Sequence, residues 1–127
     1  MAANKIVMLE PVALTNTLTT NIWEPPTTTG GVGVPPNCTN CYYIIRHIRV
    51  VNKTAGPVTV SLWRGATTGN VAGTEFLWQG TSVAANSFIE AYGAWRLAAG
   101  DTNQFIVGGA SAATSLTIEG EAEIGIV

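Results

Sequence analysis

Charged side chains are scarce in this sequence. Asp, Glu, Lys and Arg together make up 11% of its 127 residues, less than half of the ~25% that is usual for a globular domain. Lysine occurs only at Lys5 and Lys53. Free-standing soluble monomers are normally covered with Lys and Glu, whereas protein interfaces are depleted in both. We therefore expect partner proteins to cover much of the exterior.

The sequence also lacks the features that nucleic-acid and membrane partners require. Its six basic residues are scattered and its net charge is −2, so no basic stripe is available to neutralise phosphates. No apolar run approaches the roughly 20 residues that span a bilayer. The N-terminal residues show no apolar stretch followed by a cleavage site, which predicts synthesis in a cytoplasm. We expect neither a nucleic-acid nor a membrane partner.

Groups that carry catalysis or bind metals are few. His47 is the single histidine, and no Ser or Cys lies at a spacing that suggests a nucleophile for it to activate. Cys38 and Cys41 form a lone C-x-x-C pair, which is too small for a structural zinc site. No βαβ pattern surrounds the pair, so we interpret it as two loop thiols or a local disulfide. We expect no catalytic residue, no metal and no cofactor, and hence not an enzyme.

Three glutamates alternate near the C-terminus. Glu119, Glu121 and Glu123 share a face if they lie on one continuous strand. Such a set is able to bind calcium or serve glycoside chemistry. A solvated or subunit-facing acidic ladder is the simpler interpretation. In that case the carboxylates pair with arginines on adjacent strands or subunits, namely Arg46, Arg49 or Arg64.

Apolar residues recur at every second position between frequent Gly, Pro and Asn, which is typical of many short strands. We predict an all-β fold: a single β-sandwich or jelly roll of about eight mostly antiparallel strands, formed as one domain by residues 1–127. Residues 25–41 are the exception, because their prolines and glycines exclude a helix or a central strand. We predict an irregular loop or extended arm there that reaches a neighbour.

The run Tyr42–Asn52 is the strongest predicted strand, and Val58–Arg64 is its predicted hairpin partner. Alternation places Ile44, Ile48 and Val50 in the core. Alternation places a second set of side chains on the opposite face, namely Tyr43, Ile45, His47, Arg49 and Val51. That face is too apolar to be exposed to free solvent. Together with the arm and Trp63, this face supplies the predicted interface residues, which are Pro25, Pro26, Pro35, Pro36, Tyr43, Ile45, Arg49, Val51 and Trp63.

Tryptophan permits a second interpretation. The chain contains four tryptophans, and exposed aromatic rings can stack on sugars. In β-sandwiches, aromatic side chains mostly fill a core or an interface. Alternation puts Trp63 on the outer face beside Thr59 and Ser61, where it serves either as an interface anchor or as part of a sugar platform.

Several runs of the sequence resemble small β-sandwich virion structural proteins of tailed bacteriophages, of the capsid decoration or cement type. The resemblance lies in Ile48-Arg49-Val50-Val51-Asn52-Lys53-Thr54 and the following Val58-Thr59-Val60-Ser61-Leu62. Similar, shorter matches are the turn Leu97–Thr102, the closing Ile118-Glu119-Gly120 and the early Leu14-Thr15-Asn16-Thr17. The resemblance covers most of the chain from about residue 5, and the Cys38/Cys41 insertion is not part of the pattern.

The resemblance implies a virion component synthesised in the host cytoplasm. The implied role is that of a cement protein, a homotrimer that bridges and stabilises subunits of the major capsid protein or other virion proteins. A neck or tail structural component is an alternative. A carbohydrate-binding module of a tail tip is another.

The low charge and the resemblance together predict a trimer. Light scattering after size exclusion is therefore expected to give about three times the chain mass of 13.3 kDa. A clean monomer at the same concentrations would contradict self-association, and would favour the sugar-binding alternative.

Overall fold

The computed structural model describes residues 5–25, 41–98 and 104–126, which hold eight strands and no helix. The all-β prediction is confirmed. Within these ranges no helical segment has the length and hydrophobicity that crossing a bilayer requires. The strands are β1 (Lys5–Ala13), β2 (Thr20–Trp23), β3 (Cys41–Asn52), β4 (Val58–Gly65), β5 (Thr81–Val83), β6 (Ser87–Ala98), β7 (Phe105–Ala110) and β8 (Leu116–Ile126).

The strands form two four-stranded antiparallel sheets. Sheet A has the order β1-β8-β3-β6, and sheet B has the order β2-β7-β4-β5. The first four strands thus pair in turn with the last four, β1 with β8, β2 with β7, β3 with β6 and β4 with β5. This is a long hairpin folded over on itself, the arrangement of a jelly roll. The predicted sandwich of about eight strands is confirmed.

The predicted hairpin between β3 and β4 is wrong, because the two strands lie in different sheets. Both edges of β3 are occupied by long strands, β6 and β8. The turn after β3 is anchored by Asn52, whose Oδ1 accepts hydrogen bonds from the backbone N and the Oγ1 of Thr54, at 2.9 and 2.6 Å. The chain therefore crosses to sheet B at this turn and does not return along β3.

Alternation in β3 reverses at Arg46. The register shifts there, so that Ile45 lies opposite Ala122 and Trp95, whereas His47 lies opposite Glu121 and Tyr92. Arg46 is an extra residue relative to β8, and such a bulge exchanges the faces of the residues on its two sides. The core side chains of β3 are therefore Cys41, Tyr43 and Ile45 before the bulge, and Ile48, Val50 and Asn52 after it.

Two predicted interface residues of β3 consequently lie in the core. Tyr43 is 3% exposed and Ile45 is fully buried, so their predicted position on the outer face was wrong. Ile44, predicted to be in the core, is half-buried. Arg49 and Val51, which follow the bulge, are half-buried on the face opposite the core, as predicted.

Trp63 was expected to stand exposed, and that expectation was wrong, because the side chain is only 8% exposed. After β4 the chain returns alongside it. The backbone N of Arg64 donates to the carbonyl of Thr74, the N of Phe76 donates to the carbonyl of Leu62, and an isolated bridge joins Trp63 to Glu75. Pro25 is also buried. The remaining candidates of the arm lie outside the described residues: Pro26, Pro35 and Pro36.

One apolar core lies between the two sheets, built from the inward side chains of both. Asn52 is the buried polar residue of the described chain, with no exposed surface. Its Nδ2 donates to the carbonyls of Gly56 and Val83, both at 2.9 Å. The side chain thereby connects the end of β3 to the following turn and to the end of β5.

Replacing Asn52 tests this role. Asn52→Ala removes the Nδ2 donor to the carbonyls of Gly56 and Val83 and the Oδ1 acceptor of Thr54, and we expect the free energy of unfolding to fall by about 2–4 kcal/mol in urea denaturation. The control is Asn70→Ala, at an exposed loop position with no side-chain hydrogen bond to the described residues. Equal stability of the two variants would contradict the anchoring role.

Candidate interaction surface

The face of sheet A that points away from the core carries a continuous set of partly exposed side chains from all four strands. We call it the outer face of sheet A. Its members are Ile6 and Met8 from β1, Glu119, Glu121 and Glu123 from β8, Arg46, His47, Arg49 and Val51 from β3, and Phe88, Glu90 and Tyr92 from β6.

Two of the three alternating glutamates are ion-paired across β8 and β3. Nη2 and Nε of Arg46 lie 2.8 and 3.0 Å from Oε2 of Glu123. Nε of Arg49 lies 2.6 Å from Oε1 of Glu119. The predicted pairing of the acidic ladder with Arg46 and Arg49 is confirmed. Arg64 does not take part, since it donates to the carbonyl oxygen of Arg96 on β6.

The middle glutamate, Glu121, lies opposite His47, but the histidine interacts with the other neighbouring strand. Nε2 of His47 is 2.8 Å from Oε2 of Glu90. The imidazole stacks on Tyr92, with the ring centroids 4.5 Å apart and the planes 20° from parallel. Glu121 therefore makes no ion pair with the described residues.

A depression of about 470 Å³ lies beside Glu121, between β1 and β3. Its floor is β8 at Gly120, where a Cβ atom would come within 2.8 Å of the ring of Trp23. Glycine thus allows β8 to pass close over this core tryptophan. The lining residues are Ile6, Val7, Met8, His47, Arg49, Glu119, Gly120 and Glu121.

Large apolar side chains stand exposed on both edge strands of the outer face. On β1, Ile6 is 63% and Met8 is 62% exposed; on β6, Phe88 is 51% and Tyr92 is 73% exposed. The guanidinium carbon of Arg49 lies 5.5 Å from the centroid of the Phe88 ring. Exposed apolar side chains on one face make that face a candidate interaction surface.

Other chemistry proposed from the sequence finds no site in the described residues. Within these ranges, no group of three or more His, Cys, Asp or Glu side chains is arranged to hold a metal ion. Cys41 is disulfide-bonded and buried; the chain's other cysteine, Cys38, lies outside the described ranges.

The four tryptophans do not stand exposed. Trp23 and Trp63 are buried, and Trp78 and Trp95 pack against the core. No tryptophan of the described chain forms an exposed platform for sugars.

Sequence reasoning did not identify most of this surface. It named Arg49 and Val51, and it recognised the shared face of the glutamates, but it missed Ile6, Met8 and Tyr92. The alternation of Phe88, Glu90 and Tyr92 was a readable signal of an outward face. Nothing local indicated that β1 and β6 form the two edges of the same sheet.

Comparisons with known proteins give little further information. No family model matches the chain, and no curated protein matches it. Among solved structures it is similar to a chain from a study described as "Bacillus endospore appendages form a novel family of disulfide-linked pili", with 16% sequence identity and a TM-score of 0.41. The similarity covers 97% of this chain and 88% of that chain. At this TM-score the likeness carries no argument about function.

We expect the cross-strand ion pairs to contribute little to stability, because both partners remain partly exposed. The side chains of Arg46 and Glu123 are 51% and 26% exposed. A double-mutant cycle with Arg46→Ala and Glu123→Ala should give a coupling energy below about 1 kcal/mol in urea unfolding. A control cycle of Arg46 with Glu75, which makes no ion pair with the described residues, should be additive. A coupling energy above about 2 kcal/mol would contradict a solvated ladder.

Proposed function

We propose that this chain is a virion structural protein that docks through the outer face of sheet A, acting as a capsid cement protein that bridges neighbouring capsid subunits. The observation that carries the docking role is the set of exposed apolar side chains on the edge strands: Ile6, Met8, Phe88 and Tyr92. The virion setting rests on the sequence resemblance, and the same surface would serve a neck or tail component.

The surface suits a protein that works by adhesion. Its other side is the packed core, so the sheet that carries the contacts cannot shift without disturbing that core. Cross-strand pairs favour one arrangement of the central polar side chains, which lowers the entropy lost on docking. The apolar side chains at both edges supply area to be removed from water. The proposed role needs no catalytic residue.

A cement protein must resist forces that are spread over a shell, and many moderate contacts do this better than a single strong one. The low proportion of charged residues, 11%, supports an exterior that is largely covered in the assembly. A homotrimer would present three such faces to neighbouring capsid subunits. The sugar-binding alternative has less support, because it relied on exposure of Trp63, which is 8% exposed.

Polar substitutions on β1 test the docking surface. We expect the double variant Ile6→Ser with Met8→Ser to bind emptied capsids that lack the protein at least about tenfold more weakly in co-sedimentation. The reason is that burying one apolar side chain in an interface stabilises the complex by on the order of 1.5 kcal/mol or more, and about 1.4 kcal/mol corresponds to a tenfold change in affinity. Thermal unfolding of the free variant would verify that it remains folded.

Val71 provides the matched control. It is 63% exposed, the same as Ile6, but lies in the loop after β4 and not on sheet A. Val71→Ser should bind capsids as the unaltered protein does. Equal binding by all three proteins would exclude β1 from the docking surface, and absence of capsid binding by the unaltered protein would overturn the proposed function.

A further inference from the structure

We infer that the depression between β1 and β3 receives a lysine or arginine side chain of the protein on which the chain docks, and that Glu121 binds its charge. This inference rests on the proposed function for the existence of a partner protein. It adds the chemistry by which that partner is recognised.

Charge is the first argument. Glu119 and Glu123 are compensated by Arg49 and Arg46, whereas Glu121 between them has no cation among the described residues. The residue opposite it, His47, directs Nε2 to Glu90 and stacks on Tyr92. Docking would remove Glu121 from water, and a buried carboxylate without a partner is strongly destabilising. A cation that the partner presents here would offset this cost.

Shape is the second argument. The side chains of Ile6 and Met8 form an apolar wall of the depression and are more than half exposed. Lysine and arginine lay their methylene stems along apolar surface while the charged head reaches a polar group. The volume of about 470 Å³ falls in the range of pockets that bind small molecules, and it leaves room for one such side chain. An apolar wall beside an uncompensated carboxylate matches both parts of such a side chain.

Other occupants match less well. A free metal ion would find one uncompensated carboxylate in the depression, that of Glu121. The described residues contain no group of three or more His, Cys, Asp or Glu side chains that could hold a metal ion. A neutral apolar side chain would leave Glu121 buried and unpaired. An acidic side chain would meet Glu121, whose charge no cation of the described residues compensates.

Methyl NMR provides a direct test on the intact chain. The sequence contains two methionines, Met8 and Met1, so labelling methionine methyl groups with ¹³C places one reporter in the depression. The probes are n-butylguanidinium and n-butylammonium, which reproduce the arginine and lysine stems with their charges, and the neutral n-butylurea. We expect saturable shifts of the Met8 methyl with the two cations, and at least fivefold weaker binding of n-butylurea.

Two variants locate the charge that is responsible. Glu121→Gln should weaken the binding of both cations at least fivefold. Glu10→Gln removes the same charge from an exposed position of β1 that does not line the depression, and it should bind the cations as the unaltered protein does.

Three results would overturn the inference: equal binding of n-butylurea, unchanged binding in Glu121→Gln, or an equal response to calcium chloride. A Met8 shift caused by raising the protein concentration alone would also overturn it, because the occupant would be a second copy of this chain. The NMR test uses no capsids. Failure here with normal capsid binding therefore removes only this inference, whereas probe binding without capsid binding removes the proposed function.

Discussion

The architecture of the outer face depends on one extra residue in β3. Between two adjacent paired rows, β8 advances from Ala122 to Glu121 while β3 advances from Ile45 to His47. Arg46 is the extra residue of β3 at this step and has no backbone pairing partner on β8. Without this bulge, a strand with Tyr43 and Ile45 in the core would turn His47 and Arg49 inward as well, because faces alternate strictly along a regular strand. The bulge lets one strand supply aromatic and aliphatic side chains to the core and cations to the surface.

The placement of those cations organises the charge on sheet A. The basic strand β3 lies between the acidic row of β8 and Glu90 of β6, so opposite charges meet across strands. Apolar side chains stand farther out, on β1 and β6. The resulting order, apolar at both edges and polar at the centre, differs from the usual interface with an apolar centre and a polar rim. A partner for this face would need a charged ridge between two apolar strips.

Features that depend on residues close together in the sequence were predicted correctly. Features that depend on pairing between distant strands were not. Alternation identified the strands, the sandwich and the shared face of the three glutamates, because a period of two is a local property. No residue near Arg46 indicates a bulge, because the position of the bulge is set by the pairing of β3 with β6 and β8. The residues after Asn52 have the composition of a hairpin turn. The direction that the chain takes there depends instead on the hydrogen bonds from the side chain of Asn52 to Gly56 and Val83. Which glutamate lacks a cation likewise depends on distant strands, through the pairing of β3 with β8 and the contact of His47 with Glu90.

The pairing of first strands with last has a consequence for how the chain folds. In sheet A, β3 lies between β6 and β8, so neither of its partners exists until much of the chain has left the ribosome. Folds dominated by such distant pairings form slowly, since long loops must close before contacts stabilise them. Until then the apolar run of β3 remains unpaired and able to associate with other chains. Synthesis rate and chaperone access would therefore influence the yield of folded subunits.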